Sequence, residues 1–346
     1  MSNRASPPRF AKQGAFARDL EQRVAAYFAE TGQSERDLPA MYAKTAVIVG
    51  WFLGSWSWLM WGNPPVWLAV LLAVSLGLSV AAIGMSVQHD ANHGGYSRHM
   101  WVNRAMGWLL DAAGASSFVW RSKHNAIHHT WTNVTGHDDD IDIGLLGRWS
   151  PHQVRRPWHR WQHLYTWGLY GLLLPKWAFF DDFFNLATRR IGPHRLALPR
   201  GLEWLGFIAG KVVFVLWAVV LPLSNHSLAE VALGFGLMSM TTGVALGVTF
   251  QLAHCVEEAQ YPLGTDGRLP TDWAEHQLFT TVDFAPDNRV LTWFMGGLNF
   301  QVVHHLFPKE CHLHYPALAR IVTATAADHG LQHRTTKRFG AAVASH

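Results

Sequence analysis

The sequence predicts an all-α integral membrane protein: four transmembrane helices in two hairpins, beneath a cytoplasmic helical cap that holds a histidine-rich dimetal site. Three observations carry that prediction. Four segments are apolar enough to span a bilayer. Almost every cation lies on one side of them. Three histidine clusters each lie near the end of an apolar stretch or shortly beyond one.

The candidate spans are residues 45–60, 66–87, 204–223 and 228–252. A span needs roughly 17–25 mainly apolar residues, so the first is marginal, confined between Lys44 and Asn63-Pro64-Pro65. That turn joins the first two spans, and Ser224-Asn225-His226-Ser227 joins the last two, which makes two helical hairpins. Residues 1–44 carry 7 Lys or Arg, 88–202 carry 13 and 253–346 carry 7, leaving Lys211 alone inside a span. The positive-inside rule makes that side cytoplasmic, with both termini and all three clusters on it. The formal charge of +4 is accounted for by this bias and by anionic headgroups, with no nucleic-acid partner.

The division expected is a cytoplasmic N-terminal tail (1–44), a membrane domain (45–320) with cytoplasmic regions 88–203 and 253–320, and a cytoplasmic C-terminal tail (321–346). The N-terminal tail has no long apolar core and mixes five acidic with seven basic residues, unlike a signal peptide. Its first 15 residues read as disordered, and residues 20–43 as a short surface helix. Stretches 102–113 and 164–184 are apolar but interrupted by Asp111, Pro175 and Lys176, which fits in-plane helices better than spans. The stretch 290–300 is too short to cross. Trp residues gather at segment ends, as interfacial anchors do. Cys255 and Cys311 are the only cysteines, so a disulfide framework is not expected. Neither a GxGxxG turn nor a Walker sequence occurs.

The clusters are His89-Asp-Ala-Asn-His93, His124-Asn-Ala-Ile-His128-His129 and Gln301-Val-Val-His304-His305. Residues three and four apart on a helix share a face, so each cluster can aim two or more side chains at one place. Seven imidazoles exceed what one tetrahedral zinc uses, which implies two metals. Imidazole suits iron, zinc or copper, and the residues alone do not choose among them. His254, at the cytoplasmic end of the last span, is an eighth candidate, and His276 a weaker ninth. Gln301 stands where a leading histidine would complete the third cluster, able to ligate or to hold a metal-bound water. Asp90, Asn133 and Asp138 are expected to orient imidazoles, with Asp90 favoured over the acidic run at 138–142. Arg155, Arg156, His159 and Arg160, or Arg189 and Arg190, form cationic surfaces for anionic lipid or an acidic protein.

At these clusters the chain resembles the membrane fatty acyl desaturase family, whose histidine boxes run H-x(3,4)-H, H-x(2,3)-H-H and (H/Q)-x-x-H-H. The resemblance covers about residues 45–320. Gln301 and His128-His129-Thr-Trp-Thr-Asn133 are similar to the front-end desaturases and their bacterial relatives. It implies a histidine-ligated diiron centre that uses O2 to remove two hydrogens from an acyl chain, leaving a cis double bond, in an enzyme of the bacterial inner membrane. No His-Pro-Gly-Gly haem motif of a fused cytochrome b5 domain is present, so the electrons are expected from a separate donor of ferredoxin or cytochrome b5 type. Acyl-tunnel candidates on the spans are Gly77, Ala81, Gly84 and Met85, or Met238, Thr241, Thr242 and Thr249, although small residues in spans more often serve helix packing. The nearest rivals are hydroxylation, ketolation or epoxidation on the same scaffold. A metal transporter is disfavoured by spans almost free of ionisable groups, and a membrane zinc hydrolase is the remaining remote reading.

Overall fold

In a computed structural model, which describes residues 7–346, the chain is a bundle of long apolar helices with a helical layer over one end. Among the described residues, three helices are long and apolar enough to cross a membrane: Val66–His93, Leu202–Leu223 and Leu228–His254. The helix of the expected first span, Pro39–Trp61, is 23 residues long, about 34 Å at 1.5 Å per residue, but does not belong with those three on composition. It begins six residues before the apolar stretch because Pro39 pre-forms its first turn. Asn63, in the left-handed region (φ 44°), makes the turn into the next helix.

Val66–His93 extends beyond the span expected at 66–87 and carries the first histidine cluster as its last turn. Gly94, at φ 82°, ends it by donating its N–H to the Ala91 carbonyl. The last long helix starts with a capping box, in which Ser227 Oγ accepts from Glu230 N–H and the Glu230 carboxylate accepts from Ser227 N–H. It ends on His254.

The Val66–His93 and Leu228–His254 helices form the central pair. A Cβ on Gly77 would fall 2.6 Å from the Met238 carbonyl oxygen, so only glycine permits this approach, and Thr242 Oγ1 donates to the Gly77 carbonyl at 2.9 Å. Farther along, Thr249 Oγ1 lies against Met85 sulfur and Gly84 against Leu246. The small residues named as tunnel candidates form the seam between two helices, the packing role that small residues in spans commonly take.

Stretches 102–113, 164–184 and 290–300 are broken into helices too short to cross, among them Met100–Gly107, Gln162–Gly171 and Arg289–Phe294. Lys211, within the apolar helix Leu202–Leu223, is bound beside them: its ammonium donates to Asp182 at 2.7 Å and to the Gly114 and Ala178 carbonyls at 2.6 and 3.1 Å. The Gly114 carbonyl lies just past helix Leu109–Ala112, and the Ala178 carbonyl within the π-helical turn Trp177–Asp181.

The layer over the site is built from both ends of the chain. Helix Ala15–Thr31 packs Phe16, Leu20 and Val24 against Val302 and Val303 and against Leu318 and Val322 of helix Tyr315–Asp328. The surface helix expected at 20–43 is thus two helices, separated at Gly32 by a left-handed cap (φ 62°). Residues 7–14, expected to be disordered, are held by backbone bonds from Arg9 to Gly267, from Leu269 to Arg9 and from Ala11 to Thr271; residues 1–6 of that expectation lie outside the described residues. Beyond residue 328, Thr335–Thr336 pairs in parallel with Asp283–Phe284, and helix Phe339–Ser345 adds Ala342 to the core around Leu252 and Phe284. The other sheet is an antiparallel hairpin of Arg190–Ile191 with His194–Arg195.

Candidate metal centre

Two π-helical segments place the first two clusters. Ile83–Gln88 widens the helix just ahead of His89, and Ser122–His128 carries the second cluster. Widening aligns residues five apart, so His129 N–H donates to the His124 carbonyl at 3.0 Å, and His124, His128 and His129 turn toward the same space. The α-helical spacing read from the sequence would align only His124 and His128. The third cluster occupies the short helix Gln301–Leu306, reached through Gly296 and Gly297, both at positive φ (60° and 71°). A side chain on Gly296 would collide with the Met85 carbonyl, so this glycine lets the third cluster lie against the helix of the first.

All eight histidines converge. His89, His93, His124 and His304 each offer a nitrogen within 4.8 Å of the others, and His128, His254 and His305 form a second such group. His129 lies between them, its ring centroid 4.7 Å from that of His304 and 4.2 Å from that of His305. Every one of the eight is buried. Gln301 reaches the site through His254, with its Nε2 2.9 Å from His254 Nε2.

Side chains behind the rings fix which nitrogen faces inward. His128 donates from Nδ1 to both oxygens of Asp138, at 3.1 and 3.0 Å. His305 donates from Nδ1 to Gln277 Oε1 at 2.8 Å, and His304 Nδ1 lies 3.1 Å from the Tyr315 hydroxyl. Asp138 also accepts from Asn133 N–H at 2.8 Å, and Asn133, at φ 58°, donates to the carbonyls of His254 and Thr280. Asp138 and Asn133 thus connect the second cluster to the backbone at His254.

Asp90 behaves differently. Its carboxylate accepts from the Nδ1 and backbone N–H of His312, at 2.8 and 3.1 Å, and from no imidazole of the three clusters. On the far side of His312, Lys44 Nζ donates to Nε2 at 2.8 Å. Cys311 shares this pocket but Lys44 supplies the positive charge there. His276 is also outside the centre, its Nε2 donating to the Thr132 carbonyl at 2.9 Å. Cys255 and Cys311 are free and buried, and burial pushes both thiols up.

A pair of cations fits this arrangement. Among buried side-chain atoms left without a partner are Nε2 of His89, His93, His128 and His305, Nδ1 of His129 and His254, and Oε1 of Gln301. His129 Nε2 lies 3.2 Å from His124 Nε2 and 3.0 Å from His304 Nε2, so ring nitrogens face one another across the centre. Burial and the neighbouring imidazoles hold His124, His129, His304 and His305 well below the usual histidine range, hence neutral and able to ligate. Burial alone would depress His128 too, but Asp138 raises it and makes that ring a stronger donor to metal.

A cavity of about 660 Å³ opens onto this centre, within the size range of small-molecule sites. It is lined by His124, His128 and His254, with apolar walls that include Trp120, Trp149, Tyr170 and Phe250. Trp120 stacks on His124 at a centroid distance of 4.4 Å. Of the last span only Gly247, Phe250, Gln251 and His254 contribute.

The sequence alone does not mark Gln277 and Tyr315, which orient rings of the centre, or His312, which takes up Asp90 beside it. Gln277 is adjacent to His276, and the helix from Asp272 turns Gln277, not His276, toward His305. No spacing marks the other two.

Comparison with known proteins agrees with this geometry. The fatty acid desaturase family model matches residues 65–337. An sn-1 linoleoyl-lipid 6-desaturase of Arthrospira platensis is 37% identical over all of this chain and 94% of its own length. One from Synechocystis sp. is 37% identical over 97% of this chain and 95% of its own. An acyl-lipid (8-3)-desaturase of Physcomitrium patens is 35% identical over 94% of this chain and 69% of its own. With its family match, two relatives similar over nearly their whole length and its clustered histidines, the chain belongs to the fatty acid desaturase family.

Proposed function

We propose that this desaturase introduces a cis double bond into the acyl chain of a membrane glycerolipid, using O2 and two electrons from a separate donor protein, at a diiron centre bound by the eight histidines. The convergence of eight buried imidazoles in two groups carries the reading. The lipid-linked substrate follows the names of the relatives from Arthrospira platensis and Synechocystis sp..

An unactivated methylene has no acidic proton, so general acid–base groups alone do not suffice. When bound, iron supplies the oxidising chemistry that the side chains lack. The protein holds and encloses it. Asp138, Gln277 and Tyr315 keep the Nδ1 atoms of His128, His305 and His304 engaged, so that Nε2 is presented inward. Trp120 and Phe250 line the approach with apolar surface, which suits a hydrocarbon chain and keeps water from its place. Gln301 positions His254 and retains a free amide oxygen for a metal-bound ligand.

Helix Pro39–Trp61 is proposed as a fourth span, supported by its length and by its seam with the next helix, where Trp51 Nε1 donates to Ser75 at 2.7 Å. The histidines and both termini are proposed to face the cytoplasm, a reading supported by the distribution of cations. Expression in a host of defined lipid composition, with double bonds located by mass spectrometry, tests the function. A new double bond is expected in lipid-linked acyl chains, and hydroxylated chains without new unsaturation would refute it.

A further inference from the structure

The cavity leading to the histidines has a charged rim. Four of its five acids pair with lysines, Asp139 and Asp140 with Lys123 at 3.0 and 3.1 Å, Asp181 with Lys176 at 2.5 Å and Asp182 with Lys211 at 2.7 Å, while Asp142 accepts from the Gly144 N–H at 2.8 Å. Arg190 lines the same rim, and its guanidinium donates to the Pro193 carbonyl at 2.9 Å. Across the hairpin, Arg190 is directly opposite Arg195. Like charges in that register repel. Among the described residues, neither they nor the flanking Arg189 and Arg200 pair with a carboxylate; the paired arginines are Arg23, Arg36, Arg98 and Arg121.

The surface beside this row is apolar. Phe184 lines the cavity and is 66% exposed, and Phe180 one turn earlier is 70% exposed. Leu205 and Ile208 continue that exposure along the Leu202–Leu223 helix, which begins two residues after Arg200. Greasy side chains at membrane level and guanidinium groups above them match a lipid with its acyl chain down and an anion up.

We propose that the Arg190–Arg195 hairpin binds the phosphate of an anionic glycerophospholipid whose acyl chain enters the cavity sideways from the bilayer. Two guanidinium groups opposite each other offer several N–H donors to one phosphate, and the bound anion relieves their repulsion. The inference rests on the desaturase reading and adds a headgroup preference to it.

The test uses the full chain in nanodiscs holding equal amounts of phosphatidylglycerol and monogalactosyldiacylglycerol with identical acyl chains. Wild type is expected to desaturate the phospholipid preferentially. R190Q/R195Q is expected to lower the phospholipid-to-galactolipid product ratio about tenfold, the effect of losing a charge-assisted contact, and R190K to fall between. An unchanged ratio in the double variant overturns the proposal. So does an equal loss on both lipids that excess electron donor restores, which would make the hairpin a protein-docking surface. Native mass spectrometry of phosphatidylglycerol retained per chain reads the site without catalysis: retention in wild type and its loss in R190Q/R195Q are expected, and equal retention refutes the site. A wild type that binds phosphatidylglycerol yet forms no double bond refutes the desaturase reading instead.

Discussion

Asp138 receives His128 Nδ1 on both carboxylate oxygens, at 3.1 and 3.0 Å, inside a pocket that leaves neither side chain exposed. That contact fixes the ring so that Nε2 faces the other histidines, and it adds electron density to the imidazole. Asp138→Asn keeps the shape and removes the charge. We predict a loss of about tenfold to a hundredfold in iron affinity, read as metal per chain after dialysis at graded chelator concentrations. An unchanged affinity would remove Asp138 from the support of the centre.

Gly296 is predicted to be intolerant of alanine. Its φ of 60° and the Met85 carbonyl facing it require the backbone to shift, at a cost of about 2 kcal/mol. The shift moves the third cluster away from the first. Gly296→Ala should therefore lose iron and activity together, whereas alanine at Gly234, which faces open space, should retain both.

Lys44, His312 and Asp90 form one buried chain of charge. Lys44→Met leaves Asp90 without its counter-ion, and breaking a buried pair costs roughly 3 kcal/mol. A lower midpoint of thermal unfolding in detergent is expected, with Lys44→Arg less affected. Equal midpoints for wild type and Lys44→Met would show that the chain contributes nothing.

The C-terminal segment should loosen at high pH. His333 Nε2 meets Asp283 at 2.8 Å, and Asp283 also accepts from Val302 N–H beside the third cluster. Burial lowers the His333 pKa, but Asp283 outweighs it and the net shift is upward from 6.5. The ion pair therefore contributes fully below pH ~6.5 and is lost as pH rises through the higher folded value. Proteolysis near residues 334–338 is predicted to be faster at pH 9 than at pH 6, with the protease's own pH dependence taken from His333→Asn, in which the difference should vanish.

The sequence made the histidines legible and left their geometry hidden. Apolar length and three spaced clusters pointed to helices and a shared site, because both are local properties of the chain. The π-helical turns were not legible, since spacing read as α-helix aligns His124 with His128 and leaves His129 aside. Asp90 was favoured as an orienting acid because it stands between two histidines, yet the helix turns it toward His312, more than two hundred residues away in sequence. Gly77 and Thr242 suggested a tunnel by size alone. Only the pairing of their helices shows that they fill a seam, while the cavity takes its walls from interfacial segments such as those of Trp149 and Tyr170.

Two iron ions held by these eight histidines are what metal analysis of protein purified in active form, alongside His128→Ala and His304→Ala, would reveal. Two irons per wild-type chain are predicted, with clear loss of iron from each variant while it remains in the membrane fraction and no double bond formed by either. Active protein containing zinc without iron, or a variant that keeps both its iron and its product, would contradict the account.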